Sequence, residues 1–219
     1  MLKYVFALLM SVVTANSYAL GHSGIKLPGL GGGSGGDSAV NWDDVAGTGQ
    51  NAIVDIYKGT QLLIRSTAEM AEAIGLKEQA APLYAQAKKI KDDGSVTGDY
   101  DLGEAAKQTS ETMDLIEKAL SEATELTAQQ KQAVGKSVAQ YVVGGIRYIK
   151  GMKSIKDVAS QASDAPMTKM MQFKEIIGIA PTAVEGAKAF FGKIPQVIKL
   201  MKTKGIQTPA NVSEMSAGF

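Results

Sequence analysis

The sequence predicts an all-α protein, an antiparallel bundle of long helices with two or three shorter helices on its C-terminal side. Apolar and small residues recur every three or four positions over long stretches, which is the helical period. Capping and breaking residues separate those stretches. No stretch alternates in polarity long enough to indicate a strand. The 219 residues include no cysteine, so packing and not disulfide bonding must stabilise the fold.

The N-terminus has the pattern of a cleavable export signal. Lys3 precedes an apolar run at residues 4–15, and Ala19 ends a small-x-small cleavage motif. The run is shorter than the roughly 20 residues of a spanning helix, although a retained membrane anchor is the alternative. We predict a signal peptide at 1–19 and a periplasmic or secreted protein.

A glycine- and serine-rich segment at residues 20–40 predicts a flexible leader before the helical domain. Its glycine spacing matches G-x-G-x-x-G, but no strand precedes it and no Lys-Ser/Thr pair follows it. A nucleotide site is therefore excluded there. The helical domain is expected at 41–205 and a loose tail at 206–219.

Four helices are predicted in the first part of the domain. Asn41 caps the first, which Gly75 ends, and a capping box of Thr127 and Gln130 starts the fourth. The fourth has the most regular apolar stripe, which predicts that it lies at the centre of the bundle. The expected ranges are 41–74, 77–91, 102–126 and 128–162.

The C-terminal part predicts shorter helices separated by prolines. Pro166 restarts the chain into a helix ending near Ile177, and Gly178 to Pro181 opens another. Pro195 lies inside that pattern, so a kink or break is expected there.

Charge is segregated along the chain. Without Lys3 the chain has 22 basic and 22 acidic residues; residues 20–135 have 10 basic and 17 acidic, and residues 136–219 have 12 and 5. The simplest interpretation is that helices of the two halves complement one another when packed antiparallel. The alternative is a basic face for anionic lipid or an acidic partner. Nucleic acid is not expected as a partner, because basic residues are not interleaved with exposed aromatics.

Catalytic residues are scarce. The only histidine is His22, in the leader, so triads, histidine-ligated zinc and histidine acid–base chemistry lack their usual side chains. Carboxylate pairs such as Glu69 and Glu72 are interpreted as solvated surface. We predict neither enzymatic activity nor a cofactor.

Two metal sites are nevertheless possible. Cleavage after Ala19 would make His22 the third residue, and an N-terminal amine, two amides and an imidazole suit copper(II) or nickel(II). The second site is a loop in the register of an EF-hand calcium loop. Its alternative is an ordinary connection in which Thr97, Asp99 or Asp101 caps the third helix. The candidate calcium ligands are Asp93, Ser95, Thr97, Asp101 and Glu104.

An amphipathic segment at residues 176–201 could contact a membrane surface. Phe190, Phe191 and Ile198 are its apolar candidates, with Lys193 and Lys199 beside them for anionic lipid. The alternative is that these apolar residues form the bundle core.

The sequence contains two segments that are typical of a known group of proteins, Leu30-Gly31-Gly32-Gly33-Ser34 and residues 73–81. With them the chain resembles a group of uncharacterised exported, alanine-rich helical proteins of Gram-negative bacteria. The resemblance implies an exported location and a helical fold, and no activity. Our leading hypothesis is a non-enzymatic envelope or secreted protein that acts by binding another exported protein. A membrane-active protein is the alternative, and a small metal-binding bundle is the third.

Overall fold

The computed structural model describes residues 40–208, and this part of the chain is helical with short connections. An isolated antiparallel bridge joins Ile90 and Val96, and no strand is formed within these residues. The predicted all-α class is confirmed. The predicted signal peptide, the leader up to residue 39 and His22 lie outside the described residues. The helices are α1 (Trp42–Ala73), α2 (Lys77–Lys88), α3 (Leu102–Glu122), α4 (Ala128–Ala162), α5 (Met170–Phe191) and α6 (Ile194–Thr203).

Local signals set the ends of the long helices. Gly75 follows α1 with φ +95°, a conformation that glycine adopts without strain. The predicted capping box starts α4: the Gln130 amide donates to Thr127 Oγ1 (3.2 Å), and the Thr127 amide donates to Gln130 Oε1 (2.9 Å). The predicted second and third helices end earlier than expected, at Lys88 and Glu122.

Helix α5 corrects the prediction of a break at Gly178 to Pro181. It runs without interruption from Met170 to Phe191 with Pro181 inside it. Proline removes one backbone hydrogen bond, but the apolar residues before and after it lie on the same inward face, and burying them outweighs that loss. The inward residues are Phe173, Ile176, Ala183, Ala187 and Phe190. The break before α6 is confirmed, and Pro195 lies in the first turn of α6, where its missing N–H is not needed.

The centre of the bundle is α1, and the prediction that α4 lies there is wrong. Helix α1 packs against α2, α3, α4 and α5. No residue from Ala52 to Ile64 is exposed, although Asp55, Lys58 and Gln61 are polar, whereas α4 keeps a solvated face that includes Arg147 and Lys150. The fully buried large residues of α1 are Ile56, Leu63, Ile64 and Met70.

Helices α1 and α4 are antiparallel and touch through their backbones. A Cβ atom on Gly59 would lie 2.7 Å from the backbone nitrogen of Tyr148 and 2.8 Å from the carbonyl oxygen of Gly144. A Cβ atom on Gly151 would lie 2.7 Å from the carbonyl oxygen of Ala52. Only glycine permits backbones to come this close at these positions.

Ion pairs join the acidic and basic halves of the chain, as the complementary-helix interpretation expects. Because these groups are solvent-exposed or partly so, each pair adds little to stability, and the pairs contribute mainly to which helices meet. The pairs are Asp55 with Arg147 (3.0 Å) and Lys150 (3.4 Å), Asp43 with Lys169 (2.7 Å), and Asp114 with Lys193 (2.7 Å).

The packed domain extends slightly further than predicted. Ile206, which we assigned to the loose tail, is buried, and its amide donates to the carbonyl oxygen of Met201 at 2.9 Å. The carbonyl oxygen of Gln207 lies 2.9 Å from where a Cβ atom on Gly135 would be. The turn after α6 therefore packs on the start of α4.

Candidate functional site

The connection between α2 and α3 forms a tight turn docked on α1. The Lys91 amide donates to the carbonyl oxygen of Ser95 (2.8 Å), and the Gln61 side chain of α1 donates to the carbonyl oxygen of Ile90 (2.6 Å). Gly94, with φ +88°, lies against Val54 of α1. The predicted calcium loop therefore begins inside a turn that α1 holds in place.

The five candidate calcium ligands are used in local hydrogen bonds or lie apart. Asp101 caps α3 by accepting from the Glu104 amide (3.0 Å), and Thr97 donates to the carbonyl oxygen of Lys89 (3.1 Å). Hydrogen bonds from the side chain and amide of Ser95 hold the pKa of Asp93 below its usual range.

This connection matches the predicted alternative, in which Asp101 caps α3. Within residues 40–208 no three His, Cys, Asp or Glu side chains gather into a group that could hold a metal ion. The three acidic candidates, Asp93, Asp101 and Glu104, therefore do not form such a group in this structure, and the capping hydrogen bond turns Asp101 toward the amides of its own helix.

The predicted membrane residues lie mostly in the core. Phe190, Phe191 and Ile198 are buried, and the Phe190 ring meets that of Tyr148 edge-on, with 5.3 Å between centroids. Lys193 is paired with Asp114, which raises the pKa of Lys193, while Lys199 is exposed. The lipid-facing assignment of the three apolar residues is wrong, because the bundle uses them to hold α5 and α6 against α4.

Two buried tyrosines of α4 fasten α5. Tyr148 donates to the carbonyl oxygen of Ala183 (2.8 Å), and Tyr141 donates to that of Phe190 at the end of α5, where helix carbonyls lack partners of their own. Burial raises the pKa of both hydroxyls. Gly186 leaves room for this contact, since a Cβ atom there would lie 2.6 Å from the Tyr148 hydroxyl oxygen. Both tyrosines therefore have a structural use.

A small apolar cavity lies between α1, α4 and α6. Its volume of about 10 Å³ is close to that of a single water molecule, and it has no polar lining to hold one. It is too small for an organic ligand. The lining residues are Met70, Val138, Tyr141, Val142, Ile194, Val197, Ile198 and Met201.

Four exposed apolar side chains, including the two most exposed among the described residues, lie at the start of α5 and in the turn before it. We call Met167, Met170, Met171 and Ile177 the methionine face. Met167 is 93% exposed and Met171 is 78% exposed. Lys174 lies among them, also exposed. Exposed apolar residues are ordinary when scattered but indicate a binding surface when grouped.

Sequence reasoning missed this face because it placed the candidate membrane residues at the end of α5 and in α6, whereas the methionine face lies at the start of α5. The available signal was that the apolar residues of α5 cover more of the helix surface than one inward stripe. Phe173 and Ile176 belong to the inward stripe. Met170 and Ile177, three residues before Phe173 and four after it, border that stripe, and Met171 lies further round on the exposed side. The apolar surface of α5 is therefore wider than the bundle buries.

No protein-family model matches the sequence, and no curated protein and no solved structure matches it significantly. Among the helices of residues 40–208, none has both the length and the low polarity needed to cross a bilayer. The exposed surface of the bundle is therefore the candidate functional site.

Proposed function

We propose that this protein is a non-enzymatic, exported helical bundle that acts by binding another protein through the methionine face. The observation that carries the proposal is the group of exposed apolar side chains at the start of α5, on a helix whose inward stripe already supplies the core. The exported location rests on the N-terminal sequence pattern.

The chemistry of the face suits protein binding. Burying one exposed methionine side chain contributes about 1.5–3 kcal/mol, so Met167 and Met171 can anchor an interface of modest size. Methionine is unbranched and polarisable and adapts to the shape of a partner. The charged Lys174 beside these residues adds orientation to an otherwise apolar contact.

A photo-crosslinking amino acid at Met171, in cells that export the protein, tests this function. The matched control is the same substitution at Lys153, which is also exposed on a helix. We expect a discrete protein adduct from position 171 and none from position 153. No adduct, or equal adducts from both positions, would contradict the proposal.

The membrane alternative predicts a different outcome of a parallel experiment. If the methionine face served lipid, the purified protein would sediment with anionic vesicles at low salt, Met171→Glu would abolish that binding, and position 171 would give no protein adduct. With the photo-crosslinking amino acid placed at Met170 instead, we expect Met171→Glu to lose the protein adduct without changing vesicle sedimentation.

A further inference from the structure

We infer that the partner of the methionine face is a second copy of this chain, paired with the first antiparallel along α5 about a two-fold axis. The inference rests on the proposed function, since it names the partner of that face. Three features of the outward side of α5 carry it: a seam of regular spacing, the order of charges along that seam, and a glycine that contacts nothing.

The outward side of α5 has the spacing of a helix-pairing seam. Six exposed residues follow one another at alternating intervals of three and four, which places them along one side of the helix. The seam spans nearly the whole of α5, from its first turn to its last. Its residues are Met171, Lys174, Gly178, Pro181, Glu185 and Lys188.

The charges in the seam select an antiparallel partner. When Gly178 lies opposite Pro181 of the partner subunit, Lys174 lies opposite Glu185 of the partner subunit, and the two-fold axis repeats this pair. A parallel pairing in the same register would place lysine against lysine and glutamate against glutamate, which is unfavourable. Within residues 40–208, neither Lys174 nor Glu185 has a salt-bridge partner.

Gly178 marks the centre of this pairing. A glycine inside a helix costs about 1 kcal/mol relative to alanine, so it needs a reason. Gly59 and Gly144 have one, because a Cβ atom on either would clash with the facing helix. A Cβ atom on Gly178 would meet nothing within 4 Å, as also at Gly47 near the start of α1. A close-packed second helix at α5 supplies the missing reason at Gly178.

Met171 belongs to the seam in this arrangement, and Met170 and Ile177 lie beside it. Met171 lies opposite Lys188 of the partner subunit, whose aliphatic stem can cover it while the ammonium group stays in water. Ile177 lies opposite Thr182 of the partner subunit, near the axis. The pairing thus covers apolar surface on both copies without burying an unpaired charge.

Sedimentation velocity of the purified, exported protein tests the inference through a charge swap. We expect a reversible dimer whose Kd rises about tenfold or more in Lys174→Glu and in Glu185→Lys, because each places like charges opposite each other twice. The double variant Lys174→Glu/Glu185→Lys is expected to restore the Kd. The control Lys153→Glu makes the same charge change on an exposed part of α4 and should leave the Kd unchanged.

The outcomes separate this inference from the proposed function. A monomer at every concentration, or a dimer indifferent to both single reversals, overturns the self-pairing. If the adduct from position 171 then has the mass of a different protein, the proposed function stands with another partner. Circular dichroism of each variant confirms that a changed Kd does not come from unfolding.

Discussion

Gly59 and Gly178 are both helix-interior glycines, but their surroundings are opposite. Around Gly59 the facing helix α4 approaches so closely that a Cβ atom would overlap backbone atoms. Around Gly178 the structure places nothing within 4 Å. The bundle therefore explains the first glycine and leaves the second unexplained. The contrast teaches that a helix-interior glycine can mark a close approach of two backbones, and the self-pairing proposed for α5 would supply that approach at Gly178.

A second contrast, between the buried Phe190 and the exposed Met171, lies within α5. It gives the largest expected effect on the free energy of unfolding. Phe190→Ala removes a fully buried ring and should lower the free energy of unfolding by about 3–5 kcal/mol. Met171→Ala, at an exposed position, should change it by no more than about 0.5 kcal/mol. Urea denaturation of both variants measures the difference. A small decrease for Phe190→Ala would indicate that the ring is exposed and would favour the membrane interpretation.

The two glycines themselves should respond with opposite signs. Gly59→Ala inserts a methyl group between two backbones and should cost about 1–3 kcal/mol. Gly178→Ala meets open space and should stabilise the dissociated chain by about 0.5–1 kcal/mol through lower conformational entropy of the unfolded state. Thermal denaturation at concentrations where the chain is monomeric is the measurement. Effects of the same sign would remove the distinction between the two sites.

Tyr148 and Gly186 allow a test of how α5 is fastened to α4. Tyr148→Phe removes the hydrogen bond to the carbonyl oxygen of Ala183 and should cost about 1 kcal/mol. Gly186→Ala alone should also destabilise, because its Cβ atom would lie 2.6 Å from the tyrosine hydroxyl oxygen. In the double variant the alanine meets only ordinary contacts, so the two costs should not add. If the two costs add in a double-mutant cycle, the Tyr148 hydroxyl is not what restricts the side chain at position 186.

The smallest expected effect is that of replacing Asp43, and it depends on pH. Hydrogen bonds from Lys169 and Gln172 hold the pKa of Asp43 below its usual value and tie the start of α1 to α5. A lowered pKa in the folded state stabilises the protein above the ordinary Asp pKa of about 4, and this stabilisation is lost as the pH falls below it. Asp43→Asn should therefore lower the thermal midpoint at pH 7 and much less at pH 2.5. An equal decrease at both values would refute the assignment.

The sequence was sufficient where local signals decided the structure. The capping box of Thr127 and Gln130 located the start of α4 correctly, because capping involves neighbouring residues only. It was insufficient where distant packing decided. Pro181 signals a break locally, but the inward stripe of α5 on both sides of it is held by α1 and α4, which no local pattern contains.

The candidate site shows the same limit. The sequence could identify Phe190, Phe191 and Ile198 as one side of an amphipathic segment, but could not tell whether lipid or the bundle covers that side. Tyr141 and Tyr148, more than thirty residues earlier, decide the matter by docking on α5. The methionine face was hidden because Met170 and Ile177, which border the inward stripe, look like core residues until the packing of α5 is known.

The spacing of small residues between α1 and α4 creates an ambiguity that charge resolves. Ala52, Gly59 and Ser66 recur every seven residues on α1, as do Ser137, Gly144 and Gly151 on α4, so a slip of seven residues would again bring small residues together. The carboxylate of Asp55 tells the registers apart. In the native one it meets Arg147 and Lys150; after a slip in one direction it would face Ser154 and Asp157, and in the other Gln140 and Val143. A weak surface ion pair therefore contributes more to the fidelity of folding than to its stability.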